Sequence, residues 1–267
     1  MRRAALSIEG ARISVAVAGG TISWNMTVLK RMEAELPHAD EDRTQALKEL
    51  LSGLHDEHGV KGVVIGLEPA SFTHTFIDLP VTSRQDVAHA LTFELEKYLP
   101  LPPEEYVLDF HSERIAAGGS RNLILSALKE KLRWIADAFG ESGMSLLGLR
   151  CTAFEALNEL RASRSVDSCM YIYQGAASAA AITLKGTEPL ALSFRPLGDP
   201  DNPDKSSETT VRQMMEGHNG DVFITGVEGT PTYTGERVST FKITPTDALL
   251  ASGRRGRTYD MDFTPPE

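Results

Sequence analysis

Two glycine-containing turns hold the groups that could do chemistry on a phosphate. Glu9 and Gly10 separate two short apolar segments near the N-terminus, and Gln174 and Gly175 separate two others in the second half of the chain. Glycine lets backbone N–H groups approach phosphate oxygens closely, and an acid beside it can position a magnesium-bound water. The two turns are therefore candidate nucleotide-binding positions.

Both turns lack part of this chemistry. Phosphate-binding turns of this kind usually contain an aspartate with a glycine two residues after it. Here Glu9 is one methylene longer than an aspartate, and no glycine follows two residues after it. Gln174, in the second turn, supplies no charge for a metal. Two interpretations stay open: a degraded nucleotide site, or plain hairpin turns whose glycines supply permissive backbone angles. We favour the hairpin turns.

No other residues have the spacing of a catalytic or metal site. His55 and His58 share a helix face but lack a third ligand at a fixed spacing, so solvent exposure is the preferred interpretation. Cys151 and Cys169 lie in apolar runs without a metal-binding pattern, which favours buried free thiols in a reducing compartment. The GxSxG, HExxH and GxxxxGK[ST] motifs of hydrolases and phosphate-binding loops do not occur in the sequence. We therefore expect neither catalytic residues nor a metal.

Composition excludes several classes of protein. The 267 residues are 41% hydrophobic and 24% charged, as in ordinary soluble proteins, and the net charge of −10 argues against nucleic-acid binding. The sequence has neither a signal peptide nor the ~18 uninterrupted apolar residues of a membrane helix. We expect a soluble cytoplasmic chain that continues into another segment after Glu267. Arg254, Arg255 and Arg257 form a basic cluster: a solvated loop or, less favoured, a group facing an anionic membrane.

The elements that position the turns repeat along the chain. Residues 4–8, 12–18 and 21–28 are predicted as a meander of short strands, followed by a helix over 43–58 and a buried parallel strand over 62–67. Strand and helix then alternate up to residue 161. A second meander is predicted over residues 169–174, 177–184 and 189–195, and a short helix and strand over 211–216 and 222–225.

One segment, FELEKYLPLPPEEYVLDF at residues 93–110, is distinctive. A helix ends at a proline-rich turn and a strand follows, because the proline ring cannot continue the helix. The short motifs FIDLP, ELEKY, LPL, EE and DF follow one another in this order along the sequence. This succession resembles the small subdomain of the type IV pilus assembly protein PilM and of the cytoplasmic part of type II secretion protein L (GspL). The resemblance is strong over roughly residues 60–160.

The resemblance implies an α/β, actin-like (ribonuclease H-like) fold with two related lobes. The first lobe would span residues 1–162, including an inserted small α+β subdomain at about 71–145, and the second would span 163–258. Because residues 197–225 are few, the upper subdomain of the second lobe would be missing. Residues 259–267 would form a juxtamembrane tether peptide similar to the docking peptide of PilN, with Met261 and Phe263 packed against the body and the neighbouring acids in water.

The resemblance also implies a function. PilM-type proteins keep a nucleotide motif and GspL-type domains lack one, so the degenerate positions point to a non-enzymatic scaffold without a cofactor. It would lie at the cytoplasmic face of the bacterial inner membrane and couple the membrane platform to a secretion ATPase. The alternatives are a free-standing, ATP-binding PilM-like protein and, remotely, an actin-like sugar kinase. The degenerate nucleotide positions are Glu9, Gly10, Gln174, Gly175 and Gly226.

The implied partners are proteins. They are the secretion or pilus ATPase, platform proteins of the GspM and PilN–PilO type, and the polytopic platform protein. A second copy of the chain, forming a homodimer, is a further possible partner. Nucleic acid is not expected as a partner. Membrane contact would be made through a segment beyond this chain. The stiff proline turn and the acids beside it are the expected ATPase-binding surface: Tyr98, Leu99, Leu101, Glu104 and Glu105.

Overall fold

The computed structural model describes residues 2–20, 27–37, 39–116, 118–140, 142–165, 168–197, 207–226, 233, 237–251 and 258–264. The first lobe is built on a sheet of mixed direction. Strands β1 (Arg2–Glu9), β2 (Arg12–Gly19) and β3 (Thr27–Glu35) form an antiparallel meander, and β4 (Gly62–Leu67) and β8 (Ser145–Cys151) extend the sheet on the β1 side. The strand order is β3-β2-β1-β4-β8, with β1, β4 and β8 parallel.

Two helices pack together beside this sheet: α1 (Asp40–His58) and α3 (Lys129–Gly140). Helix α1 follows its predicted pattern, because Leu47, Leu51 and Leu54 recur at three- and four-residue spacing and are all buried. It begins three residues before the predicted residue 43.

The small subdomain is an antiparallel sheet covered by one helix. Its strands are β5 (Thr73–Leu79), β6 (Tyr106–Arg114) and β7 (Ser120–Leu128), in the order β5-β7-β6. Helix α2 (Arg84–Glu94) continues into a 3₁₀ turn, Leu95–Lys97, and ends before the prolines, as predicted. The predicted range of 71–145 contains these elements together with α3. A separate small core joins the sheet to the helix: Ile77, Leu79, Val87, Leu91, Leu95, Phe110 and Ile124.

The second lobe repeats the sheet of the first. Strands β9 (Ser168–Gln174), β10 (Ser178–Lys185) and β11 (Glu188–Pro196) form the meander, and β12 (Asp221–Gly226) and β13 (Val238–Lys242) are parallel to β9. The order β11-β10-β9-β12-β13 confirms the predicted pair of related lobes.

Three helices complete the lobes. Helix α4 (Thr152–Ser163) follows β8, and α6 (Pro245–Leu250) packs against α4 and against β1 and β4. Helix α5 (Ser207–Met215) lies in the link of residues 197–220 between β11 and β12. That link is too short for a further subdomain, in agreement with the predicted loss of the upper subdomain.

Two parts of the sequence prediction need correction. The third strand runs over Thr27–Glu35, not over residues 21–28, of which 21–26 lie outside the described residues. This strand lies at the sheet edge and is mostly exposed, so it carries little apolar alternation. Strand β13 and helix α6 were not predicted, because their stretch is short and polar. The cluster at Arg254–257 lies outside the described residues.

Candidate functional site

The two glycine turns meet between the lobes, and the side chain of Glu9 joins them. Glu9 is the last residue of β1 and is only 4% exposed. Its carboxylate accepts hydrogen bonds from the backbone N–H of Ala176, in the second turn, and from the hydroxyl of Tyr173, on β9. The carboxylate therefore lies where the second turn directs a backbone donor.

A second carboxylate takes the corresponding donor of the first turn. The N–H of Gly10 donates to Oε1 of Glu68 over 2.8 Å, and the φ of +61° at Gly10 gives this turn its shape. Burial raises the pKa of Glu9 and nearby Glu68 raises it further, whereas the hydrogen bonds from Tyr173 and Ala176 lower it. The protein's own acids thus satisfy one N–H of each turn.

Gly175 is required by the closeness of this contact. A Cβ on Gly175 would lie 2.8 Å from Glu9 Oε2 and 2.9 Å from the carbonyl oxygen of Ser178. Both distances are shorter than side-chain carbons tolerate, so the glycine allows Glu9 to reach the second turn.

Gln174 is engaged within the second lobe. Its Nε2 donates to Ser207 Oγ over 3.3 Å, and its Oε1 accepts from the Tyr233 hydroxyl over 2.8 Å. Gly226 ends β12, where it pairs with Gln174. Residues 227–229, which follow Gly226, lie outside the described residues. The side chain of Gln174 is thus directed to structural partners.

Two cavities adjoin Glu9. A small one of about 120 Å³ is lined by Ser7, Glu9, Arg12, Arg31 and other residues of β1, β2, β3, the second turn and the start of α6, and it could take a few waters or a small ion. A wider cavity of about 620 Å³, more open to solvent, lies between the two turns and is lined by Glu9, Gly10, Ala176 and neighbouring residues of the turns, β2 and β3. Pockets for drug-sized ligands typically measure 300–1,000 Å³, so the wider cavity has room for such a ligand.

The histidines and cysteines of the sequence analysis do not come together. His55 Nδ1 lies 3.1 Å from the carbonyl of Val60, and His58 Nε2 lies 3.2 Å from Lys30 Nζ. Burial raises the pKa of Cys151 to about 12 and that of Cys169 to about 11, so both thiols are poor nucleophiles. Within the described ranges, no group of three or more metal-binding side chains occurs.

The C-terminal residues 258–264 lie extended along the free edge of the first sheet. The N–H of Phe263 donates to the carbonyl of Leu149, on β8, over 2.8 Å. In return the N–H of Leu149 donates to Asp262 Oδ1 and Thr264 Oγ1, both at 3.0 Å. This segment, called here the C-terminal segment, therefore covers an edge strand.

Three side chains of the C-terminal segment are buried: Tyr259, Met261 and Phe263, at 0%, 3% and 0% exposure. The Phe263 ring packs on Phe72 with 4.7 Å between ring centroids, and the Tyr259 ring lies 4.5 Å from that of His111. The predicted packing of Met261 and Phe263 against the body agrees with this arrangement. Tyr259 is a third anchor that the sequence analysis missed, although it continues the same alternation.

Polar groups hold the C-terminal segment at both ends. Asn158, on α4, donates to the Tyr259 carbonyl over 2.9 Å and accepts from its N–H over 3.1 Å. Arg150 Nη1 donates to Asp260 Oδ1 over 2.8 Å, and Arg150 Nη2 lies 3.1 Å from Asp262 Oδ2. The expectation that both acids stay in water is wrong for Asp262, because its Oδ1 caps the Leu149 N–H.

The predicted ATPase-binding residues are mostly exposed. Tyr98 and Leu101 are 52% and 48% exposed, Leu99 is half-buried, and Glu104 and Glu105 are exposed. Phe93, at 65% exposure on α2, is a further large apolar side chain in this part of the chain. We call Phe93, Tyr98 and Leu101 the α2 patch.

The candidate site residues thus fall into three places: the cleft around Glu9, the C-terminal segment on β8, and the α2 patch. No helix among the described residues is long and apolar enough to cross a membrane.

No family model matches the sequence, and no curated protein matches it. Solved structures do match. A chain of the PilM–PilN type IV pilus biogenesis complex superposes with a TM-score of 0.70 at 16% identity, covering 92% of this chain and 89% of that one. The cytoplasmic domain of EpsL, an inner membrane component of the type II secretion system of Vibrio cholerae, gives a TM-score of 0.62 at 10% identity, covering 97% and 98%.

A Bacteroides thetaiotaomicron protein with an actin-like ATPase fold gives a TM-score of 0.51 at 11% identity, covering 93% of this chain and 95% of that one. The predicted actin-like fold is confirmed. The resemblance to PilM and to a type II secretion protein that the sequence predicted is also present in the structure, as a likeness of fold.

Proposed function

We propose that this chain is a non-enzymatic scaffold of a type II secretion or type IV pilus-like platform, at the cytoplasmic face of the bacterial inner membrane. It couples the membrane assembly to a cytoplasmic secretion ATPase. The strongest support is the position of Glu9: its carboxylate occupies the cleft between the lobes and accepts the Ala176 N–H. A phosphate between the turns could use the Ala176 N–H only by displacing the Glu9 carboxylate.

Electrostatics adds to this argument. A phosphate between the turns would approach Glu9 and also Glu68, which holds the Gly10 N–H. Two unit charges 4 Å apart repel by about 4 kcal/mol at an effective dielectric constant near 20. A nucleotide would therefore have to displace one carboxylate and overcome repulsion from both.

The membrane side of the proposal is supported by the C-terminal segment. The C-terminal segment resembles the peptide that precedes the membrane helix in PilN. Here the segment lies on the free edge of β8, with Met261 and Phe263 buried. Peptide addition to a sheet edge is a common mode of recognition. The segment would tie the folded body to a membrane-inserted continuation of the chain and to platform proteins of the GspM and PilN–PilO type and the polytopic platform protein.

The ATPase side rests on the α2 patch. Solvent-exposed Phe93, Tyr98 and Leu101 lie within a short stretch of the chain, next to the acids Glu104 and Glu105. Clustered exposed apolar side chains with a polar rim are typical of protein interfaces. A partner for this surface would present apolar side chains flanked by lysine or arginine.

A second candidate is a free-standing, ATP-binding PilM-like protein. It is favoured by the higher TM-score to the PilM–PilN complex chain, 0.70 against 0.62 for the EpsL domain. The two candidates differ in the cleft, because ATP binding requires the Glu9 carboxylate to leave the second turn.

Capture of the purified secretion or pilus ATPase of the same organism tests the scaffold function. We expect binding that Glu104→Lys with Glu105→Lys weakens at least tenfold, without a change in melting temperature. Asp56→Lys with Glu57→Lys is the matched control, since these adjacent acids are also exposed but lie at the end of α1. Absence of binding by the wild-type protein would contradict the proposed coupling, and equal capture by both double variants would remove Glu104 and Glu105 from the interface.

A further inference from the structure

We propose that Asp109 couples the C-terminal segment to helix α2, so that docking of the segment controls the position of the α2 patch. Asp109 lies on β6 of the small subdomain, and its side chain is 17% exposed. Its Oδ2 accepts the N–H of Asp262 over 3.0 Å, and its Oδ1 accepts Arg84 Nη2 over 2.8 Å. One carboxylate is therefore shared between the segment and the first residue of α2.

The connection to α2 is well fixed. Besides the ion pair with Asp109, Arg84 donates from Nη1 to the Phe110 carbonyl over 3.3 Å, and its guanidinium lies 4.6 Å from the centroid of the Phe110 ring. Asp109 Oδ1 also accepts the Phe110 N–H over 2.8 Å. A shift of the Asp109 carboxylate is thus transmitted to the N-terminus of α2.

The connection to the C-terminal segment is equally direct. Asp262, whose N–H reaches Asp109, uses its own carboxylate to accept the Leu149 N–H and to pair with Arg150. The backbone of Asp262 is therefore held between β8 and the small subdomain. When the segment leaves β8, the Asp109 carboxylate loses one of its three hydrogen-bond donors, and the position of the carboxylate that Arg84 pairs with is no longer fixed by the segment.

This inference rests on the proposed function only for the role of the α2 patch as a docking surface. Phe93 lies on α2, and Tyr98 and Leu101 follow it, so a change at Arg84 acts on the helix that carries the surface. A pull on the segment from the membrane side would then reach the surface offered to the ATPase. Coupling between two sites is reciprocal, so a change in α2 must also loosen the segment.

Hydrogen exchange on the purified chain tests the coupling without any partner. We expect Arg84→Gln to speed exchange of the amides of residues 261–264 roughly three- to tenfold, and Phe263→Ala, which loosens the segment, to speed exchange in the first turn of α2 by a similar factor. In an Asp109→Asn background, Phe263→Ala should leave α2 unchanged, because Asp262 and Arg84 approach different oxygens of Asp109 and asparagine replaces one of these oxygens by an NH₂ group, which cannot accept.

The control is Arg121→Gln, which removes an ion pair with Asp78 of the same small subdomain at 3.0 Å and a longer one with Glu188 of β11 at 3.6 Å, both with partners outside the segment. Equal exchange of residues 261–264 in Arg84→Gln and Arg121→Gln would overturn the proposal, as would a response of α2 to Phe263→Ala that persists in Asp109→Asn. Circular dichroism identifies any variant that unfolds. If one variant does unfold, the coupling is tested by the other one: Arg84→Gln reports on the segment, and Phe263→Ala reports on α2. Failure of this test leaves ATPase capture unaffected, and failure of capture leaves this test unaffected.

Discussion

Replacing Glu9 tests the hydrogen bonds that its carboxylate makes across the cleft. Glu9→Ala removes the acceptor of two donors, the Ala176 N–H and the Tyr173 hydroxyl, in a place where water has little access. Each buried donor left unsatisfied costs about 1–3 kcal/mol, so the two together cost about 2–6 kcal/mol, less whatever is recovered by removing a buried acid. Glu9→Gln keeps one oxygen of nearly the same position, and we expect it to cost about half as much.

The pH dependence of this cost has a definite sign. Burial raises the pKa of Glu9 above its ordinary value of 4.5, so the folded protein holds a proton that the unfolded chain releases first. The contribution of Glu9 to stability is therefore fully present below pH 4.5 and is lost as the pH rises through the raised pKa. In Glu9→Gln this loss is absent, so the stability gap between wild type and Glu9→Gln narrows as the pH rises, by at most about 1.4 kcal/mol per pH unit.

Urea unfolding of wild type, Glu9→Gln and Glu9→Ala between pH 4.5 and 8 measures both effects. Glu57→Gln, an exposed glutamate of α1, serves as the control and should follow the wild-type curve. A gap between wild type and Glu9→Gln that stays constant over this range would refute the raised pKa of Glu9, and a cost of Glu9→Ala below about 0.5 kcal/mol would refute a stabilising role of its hydrogen bonds across the cleft.

Three further substitutions or modifications have expected outcomes. Phe263→Ala should weaken docking of the segment by about 3–5 kcal/mol and raise the amide exchange rates of residues 261–264 at least a hundredfold. Asp260→Ala, which removes a 66% exposed carboxylate, should raise the same rates less than tenfold. Equal effects of the two substitutions would show that the buried ring does not hold the segment. Gly175→Ala should lower stability by about 1–3 kcal/mol because its Cβ would meet Glu9 and Ser178, while Gly53→Ala, with open space around it in α1, should raise stability slightly; a neutral Gly175→Ala in urea unfolding would mean that the turn is not tight. Cys151 and Cys169 should resist iodoacetamide at pH 8 until urea unfolds the chain, as mass spectrometry would report; rapid labelling of the native protein would contradict their burial and raised pKa values.

Local patterns were enough to predict the elements with strong periodicity. The leucines of α1, the proline stop after α2 and the glycine turn at Gly10 all act over a few neighbouring residues, and each lies where the sequence placed it. Strands β3 and β13 lie at sheet edges and are mostly exposed or half-buried, so the alternation that marks a strand is weak in both.

The candidate site was harder to predict because it depends on distant residues. Nothing near Glu9 indicates that its carboxylate binds Ala176 in the other lobe, and the contact exists only once both meanders are packed together. The same holds for the link from Asp262 through Asp109 to Arg84, which joins three elements that are far apart in sequence. The residue types at the turns favoured plain hairpins over a nucleotide site, but they did not predict the contact between Glu9 and Ala176.

Calorimetric titration of the purified protein with magnesium-ATP distinguishes most directly between a closed scaffold and an ATP-binding protein. With Glu9 and Glu68 holding a backbone donor in each turn, the scaffold should give no binding heat, or binding weaker than millimolar. A dissociation constant in the micromolar range would mean that the nucleotide displaces Glu9, and it would overturn the non-enzymatic scaffold in favour of the PilM-like candidate.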